Sequence, residues 1–316
     1  MKKTGGRRLD RTKFTPRPER AGPKPFSGEE TGVAREEPKP TGEHAKKPRP
    51  FGKGAKPQPR PESRGPAGES GTRAFRRPSA ELAVLYGYHA VREALRVKKR
   101  TCLDLFATAA AAEKLAEDIK TSGVFLHLVD ADALDARLGR DAVHQGLLLE
   151  SRPLEGLDIS EIETRSGLVL ALDQITDPHN VGAILRTAAA FAVDAIITTD
   201  RHAPEFSGVL AKAASGGLEH VPIVEVVNLA RALDQLGAAG YLRVGLDSEG
   251  PESLDKTPLS RPTVLVLGAE GKGLRRLTRD KCDALARLDL PGEIKSLNVS
   301  NACAVALTLA RAALDK

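Results

Sequence analysis

Three polar stretches in this chain combine residue types and spacings suited to chemistry. The most distinctive is Gly268-Ala269-Glu270-Gly271-Lys272-Gly273, which follows the apolar run Val264-Leu265-Val266-Leu267 and lodges one carboxylate, Glu270, among glycines. Glycines let a backbone turn sharply and approach a ligand closely. A carboxylate held there offers a proton acceptor. The second stretch, Ser296-Leu297-Asn298-Val299-Ser300-Asn301, gathers hydroxyl and amide groups ahead of an Ala/Leu helix with no charge before Arg311. The third, Asp177-Pro178-His179-Asn180, opens a helix that carries Arg186. Each stretch also has a plainer reading. Asp177 or Asn180 is placed to cap its helix, as are Ser296, Asn298 or Ser300 theirs, and Arg186 suits an ion pair.

Common chemistries are excluded by spacing. The pattern Gly268-x-x-Gly271-x-Gly273 is neither the dinucleotide fingerprint nor a phosphate-binding loop, since no Lys-Ser/Thr follows the last glycine. No nucleophile elbow occurs. The seven histidines show no metal spacing, so no metal is predicted. Cys102, Cys282 and Cys303 lie far apart, as reduced thiols of a cytoplasmic protein would. Aromatic residues at 3% and the absence of Trp argue against a base-stacking platform.

The elements that must position these loops alternate regularly. Strands are expected at residues 168–172, 195–199, 221–226, 241–246 and 264–267, with helices at 180–191, 207–215 and 229–236. This order predicts an α/β fold with a largely parallel sheet covered on both faces, binding its ligand where loops leave the carboxyl ends of the strands. A smaller α/β unit precedes it, with helical spacing over 82–97, strands at 101–107, 124–129 and 143–150, and helices at 109–121 and 131–138. His144 and Gln145 read as structural there. The expected organisation is a tail over 1–78, a small domain over 79–152, a linker over 153–166 and a larger domain over 167–316.

Residues 1–78 hold 21 Lys/Arg against 9 Asp/Glu, and 13 of the 21 prolines. Such a segment buries too little apolar surface to order itself and is expected to be disordered; a solvated linker is the usual fate of this composition, and it also suits a polyanion, of which RNA is the commonest. No secretory signal or membrane-spanning apolar run is read, and no membrane partner is expected.

Three ordered segments resemble the SpoU (TrmH-type) RNA ribose 2′-O-methyltransferases of the SPOUT superfamily. They are Asp177 to Ala188 (DPHNVGAILRTA), Leu265 to Leu277 (LVLGAEGKGLRRL) and Ser296 to Ser300 (SLNVS). YGYHAVREAL and HQGLLLE are similar to the small L30e-like substrate-binding domain of members acting on large-subunit ribosomal RNA. Leu288-Asp289-Leu290 departs from the family's usual Ile-Pro-Met-like triplet. The resemblance implies methyl transfer from S-adenosylmethionine to a ribose 2′-hydroxyl, and a C-terminal trefoil knot packed in a homodimer. It further implies a catalytic and RNA-facing set of Asn180, Arg186, Glu270, Ser296 and Asn298. Cofactor contacts would come from Gly268, Gly271, Gly273, Leu288, Leu290 and Leu297. A guanosine of large-subunit ribosomal RNA is the expected target. A transfer-RNA methyltransferase and a non-catalytic RNA-binding or ribosome-assembly factor of the same fold are the alternatives.

Overall fold

A computed structural model describes residues 74–315 except His202; the expected tail, up to residue 73, lies outside the described residues. The first sheet comprises β1 (Ala83–Tyr86), β2 (Cys102–Ala107), β3 (Phe125–Leu128) and β4 (Leu147–Ser151), in the order β1-β4-β2-β3. Strand β4 runs antiparallel to β1 and β2, while β2 and β3 are parallel. Helices α1 (Tyr88–Val97), α2 (Ala109–Lys114), α3 (Ala116–Ser122) and α4 (Ala131–Leu138) complete this unit.

Several expectations shift here for local reasons. The helical spacing from residue 82 conceals strand β1, because Gly87, at φ 89°, ends the extended run before α1 begins. The helix expected over 109–121 is broken at Leu115, whose N–H turns back to the Ala112 carbonyl. The strand expected from 143 starts at Leu147, because Gln145 and Gly146 are both left-handed. Gln145 accepts from the Tyr88 N–H at 2.9 Å and so caps α1 from outside. His144 Nδ1 accepts from the Gly146 N–H, leaving Nε2–H for Asp135 at 3.1 Å. Both residues make structural contacts, and both also line a cleft with Tyr88 and Thr108.

The second sheet contains β5 (Leu168–Asp173), β6 (Ala195–Thr199), β7 (Ile223–Val226), β8 (Leu242–Leu246), β9 (Glu252–Ser253), β10 (Thr263–Gly268) and β11 (Ala284–Arg287). Their order is β7-β6-β5-β10-β8-β11-β9, with every pair parallel. The remaining helices are α5 (Pro178–Ala190), α6 (Gly208–Ala214), α7 (Leu229–Ala238), α8 (Arg276–Asp280) and α9 (Val299–Leu314). Alternate strand residues enter opposite cores. Leu168, Leu170, Leu172, Leu265 and Leu267 join α5, α6 and α9, whereas Val169, Ala171, Val264 and Val266 join α7. Burial on both faces explains why β5 and β10 read as continuous apolar runs. Strands β9 and β11 escape that reading because they are short and lie towards the sheet edge.

The expected linker is laid along the larger unit, with Leu157, Ile159 and Ile162 packed on the α7 side. A fully buried ion pair joins the two units: Arg100 donates to Glu219 at 2.8 and 3.1 Å and to the Arg152 carbonyl at 3.1 Å. Beside it, His220 Nε2 and Glu93 Oε2 lie 3.0 Å apart.

Candidate functional site

The site forms where β5 and β10 lie side by side, with Gly268 opposite Asp173 in register. The chain winds outward through β6 and β7, then returns to place β8 beyond β10. Such a reversal opens a crevice at the carboxyl ends of the strands.

One wall is the loop from Gln174 into α5. Asp177 caps the helix by accepting from the His179 N–H at 3.1 Å, and Pro178 occupies the first turn, where a missing N–H costs nothing. Asn180 is therefore free of the cap. Its Oδ1 accepts from Asn298 Nδ2 at 2.9 Å, across 118 positions of sequence. Asn298 in turn caps α9: its Oδ1 accepts from the Ser300 N–H at 2.9 Å and the Ser300 hydroxyl at 2.6 Å. One amide thus fixes both the start of α9 and the orientation of Asn180.

The other wall is the glycine turn. Gly273 N–H donates to the Ala269 carbonyl at 2.8 Å, and Gly271 and Gly273 have φ of 74° and 64°. Gly268 has no room for a Cβ because the Gly273 backbone folds onto it. The glycines therefore serve the turn itself, which carries Glu270 exposed on its tip. A residue not picked out from the sequence anchors this turn. Asp173, 1% exposed, accepts from the Arg275 N–H at 2.9 Å and from Arg275 Nε at 2.6 Å. The only signal in the sequence is a carboxylate ending an otherwise apolar strand.

Between the walls lies a cleft of about 420 Å³, lined among others by Gln174, Asp177, Asn180, Glu270, Lys272 and Val299. Its size falls within the range of small-molecule sites, about 300–1,000 Å³. The cleft can hold a compact ligand against the glycine turn while Asn180 and Glu270 offer polar contacts. Asn180, Glu270 and, through its bond, Asn298 are brought together. Arg186 is not among the lining residues. It is exposed on α5, six residues or about 9 Å of helix rise beyond Asn180, and makes no ion pair among the described residues. Ser296 and Leu297 are exposed beside the start of α9. Leu288 packs partly against the core, and the Leu290 carbonyl accepts from Lys295 Nζ at 2.9 Å. Among the described residues no cluster of His, Cys, Asp or Glu could hold a metal ion.

Comparison with known proteins agrees with this layout. The SpoU rRNA Methylase family model matches residues 167–308, and a model described as RNA 2′-O ribose methyltransferase substrate binding matches residues 84–157. The chain is 39% identical over 231 residues to the 23S rRNA (guanosine-2′-O-)-methyltransferase RlmB of Pseudomonas aeruginosa, covering 71% of this chain and 93% of that protein. The chain belongs to the SpoU methylase family. The RlmB of Bordetella pertussis is 38% identical, over 72% of this SpoU-family chain and 96% of its own. Among solved structures, the AdoMet-bound rRNA methyltransferase of Sinorhizobium meliloti has a TM-score of 0.63 and 25% identity, covering 73% of this chain and 87% of that one. The SpoU methyltransferase AviRb of Streptomyces viridochromogenes, at 21% identity and TM-score 0.63 over 73% of this chain and 89% of its own, shares the fold.

Proposed function

We propose that the protein transfers a methyl group from S-adenosylmethionine to a guanosine ribose 2′-hydroxyl of large-subunit ribosomal RNA in the cytoplasm. The observation that carries this reading is the cleft lined both by Asn180, which is bonded to Asn298, and by Glu270 of the glycine turn. The cofactor would rest against that turn and near Leu288, Leu290 and Leu297, supplying a methyl already activated on a sulfonium. The chain's own tasks are to hold the ribose in line and to remove the hydroxyl proton. Glu270 is the acceptor placed to assist that removal. Arg186 donates only, since a guanidinium offers five N–H donors and no acceptor. Its place along α5 suits a phosphate next to the reacting ribose, polarising the hydroxyl as charge develops. Asn180 and Asn298 orient the reacting groups, and Ser296 flanks them.

The small unit serves as the L30e-like RNA-binding domain. The C-terminal segment supplies the trefoil knot and a homodimer surface, for which the uncharged α9 and its exposed Val305 are the structural support. The test uses methyl-labelled cofactor and ribosomal RNA from cells lacking the gene, with the modified ribose mapped. One labelled guanosine in the large-subunit RNA is expected. No incorporation would leave a non-catalytic RNA-binding factor, and label in transfer RNA alone would reassign the substrate.

A further inference from the structure

The small sheet has one face whose composition its own domain does not explain. Leu85, Leu105, Leu147 and Leu149 point into the core that holds α1. The opposite face presents Phe106 and Leu148 to Leu134 of α4, but the same alternation also turns Asp104 and Glu150 inward. These carboxylates are cross-strand partners, 1% and 0% exposed. Two like charges side by side at buried positions are costly unless countercharge is built in.

The countercharge comes from the segment just before β1. Arg76 N–H donates to Glu150 Oε1 at 2.9 Å, and the Arg76 guanidinium donates to Asp104 Oδ2 at 2.6 Å and lies 3.4 Å from Glu150 Oε2. Arg137 of α4 donates to the Arg76 carbonyl at 3.0 Å. Phe75 packs on Phe106 with ring centroids 4.5 Å apart, and Phe106 also stacks on His127, which bonds Asp104 at 2.9 Å. Residues 75 and 76, counted with the tail on composition, are thus part of this face.

We propose that the Asp104–Glu150–Phe106 face is a docking site for the Phe75–Arg76 segment, which completes the small domain and pins the root of the basic tail to it. Without Arg76, Glu150 would keep Arg137 as a countercharge and Asp104 as a like-charged neighbour. Burial already pushes the Glu150 carboxyl above its usual range, with Arg76 and Arg137 pulling it back down. An acid whose folded pKa is raised costs nothing below its unfolded pKa, and its cost grows as pH rises from there to the folded pKa. The deficit caused by losing Arg76 must therefore grow with pH.

The test is thermal unfolding of the full chain carrying Arg76→Met. A melting temperature lower by about 5–10 °C at about pH 8 is expected, with the difference narrowing at a second, acidic pH. Adding Glu150→Gln to Arg76→Met should recover most of the loss, which also reads the proposal if the single variant folds poorly. A chain beginning at residue 74 should melt like the full chain, and one beginning at residue 79 should not. Melting unchanged by Arg76→Met at both pH values, or a loss independent of pH and unrelieved by Glu150→Gln, would overturn the proposal.

Discussion

At the scale of single residues, Asn298 does two things with one amide, and they separate by substitution. Its oxygen caps α9 and its NH₂ group reaches Asn180. Asn298→Asp keeps the acceptor, and a negative charge at a helix N-terminus is favourable, so stability should stay within about 0.5 kcal/mol of the parent. The donor to Asn180 is lost, and methyl transfer should fall at least tenfold. Asn298→Ala should lose both, with about 1 kcal/mol of stability gone. Denaturant unfolding and single-turnover methylation of RNA distinguish the two variants. Equal activity in the Asp variant and the parent would remove the Asn180 link from the reaction. Arg186 is probed by Arg186→Lys, which keeps the charge but not the planar fork. A fall in turnover is expected, and normal turnover would reduce Arg186 to a point charge.

Elements show what the sequence could and could not carry. Strands β5, β6 and β10 were legible because parallel strands buried on both faces are apolar throughout, and the glycine turn was legible from its composition. The Asp173–Arg275 latch was not, since its members are 102 residues apart and nothing local in either marks the other. Nor did composition show that Asn180 bonds Asn298 instead of capping α5, because Asp177 is equally able to cap. The latch ties the glycine turn to the end of β5, and hence one wall of the cleft to the other. Arg275→Met removes the guanidinium while the backbone N–H still reaches Asp173. It should cost about 1–2 kcal/mol, with cofactor affinity, measured by calorimetry, reduced more than stability alone explains. Undiminished affinity would make the latch purely structural. The thiols offer a check on the packing of both cores. Burial pushes Cys282 and Cys303 up to about 12, so neither is appreciably thiolate near neutral pH. Alkylation at about pH 8 should label neither residue in the native protein and both after denaturation. Rapid native labelling of either would contradict the packing.

Over the whole molecule, charge and architecture divide the work between body and tail. The buried Arg100–Glu219 pair links the two sheets. The chain from residue 74 onward carries 29 Lys/Arg against 33 Asp/Glu, whereas residues 1–73 carry 19 against 9. The body carries a net negative charge, so long-range attraction of phosphates is expected from the basic residues 1–73. Affinity for single-stranded RNA falls with salt in proportion to the phosphates contacted, with a logarithmic slope of about −0.7 per contact. Deleting residues 1–73, which leaves Phe75 and Arg76 in place, should reduce that slope by several contacts and slow association at low salt. Melting temperature and the maximal methylation rate should stay the same. Because the cut spares the anchor, a changed slope reports tail–phosphate contacts alone, and an unchanged one assigns all RNA binding to the folded body.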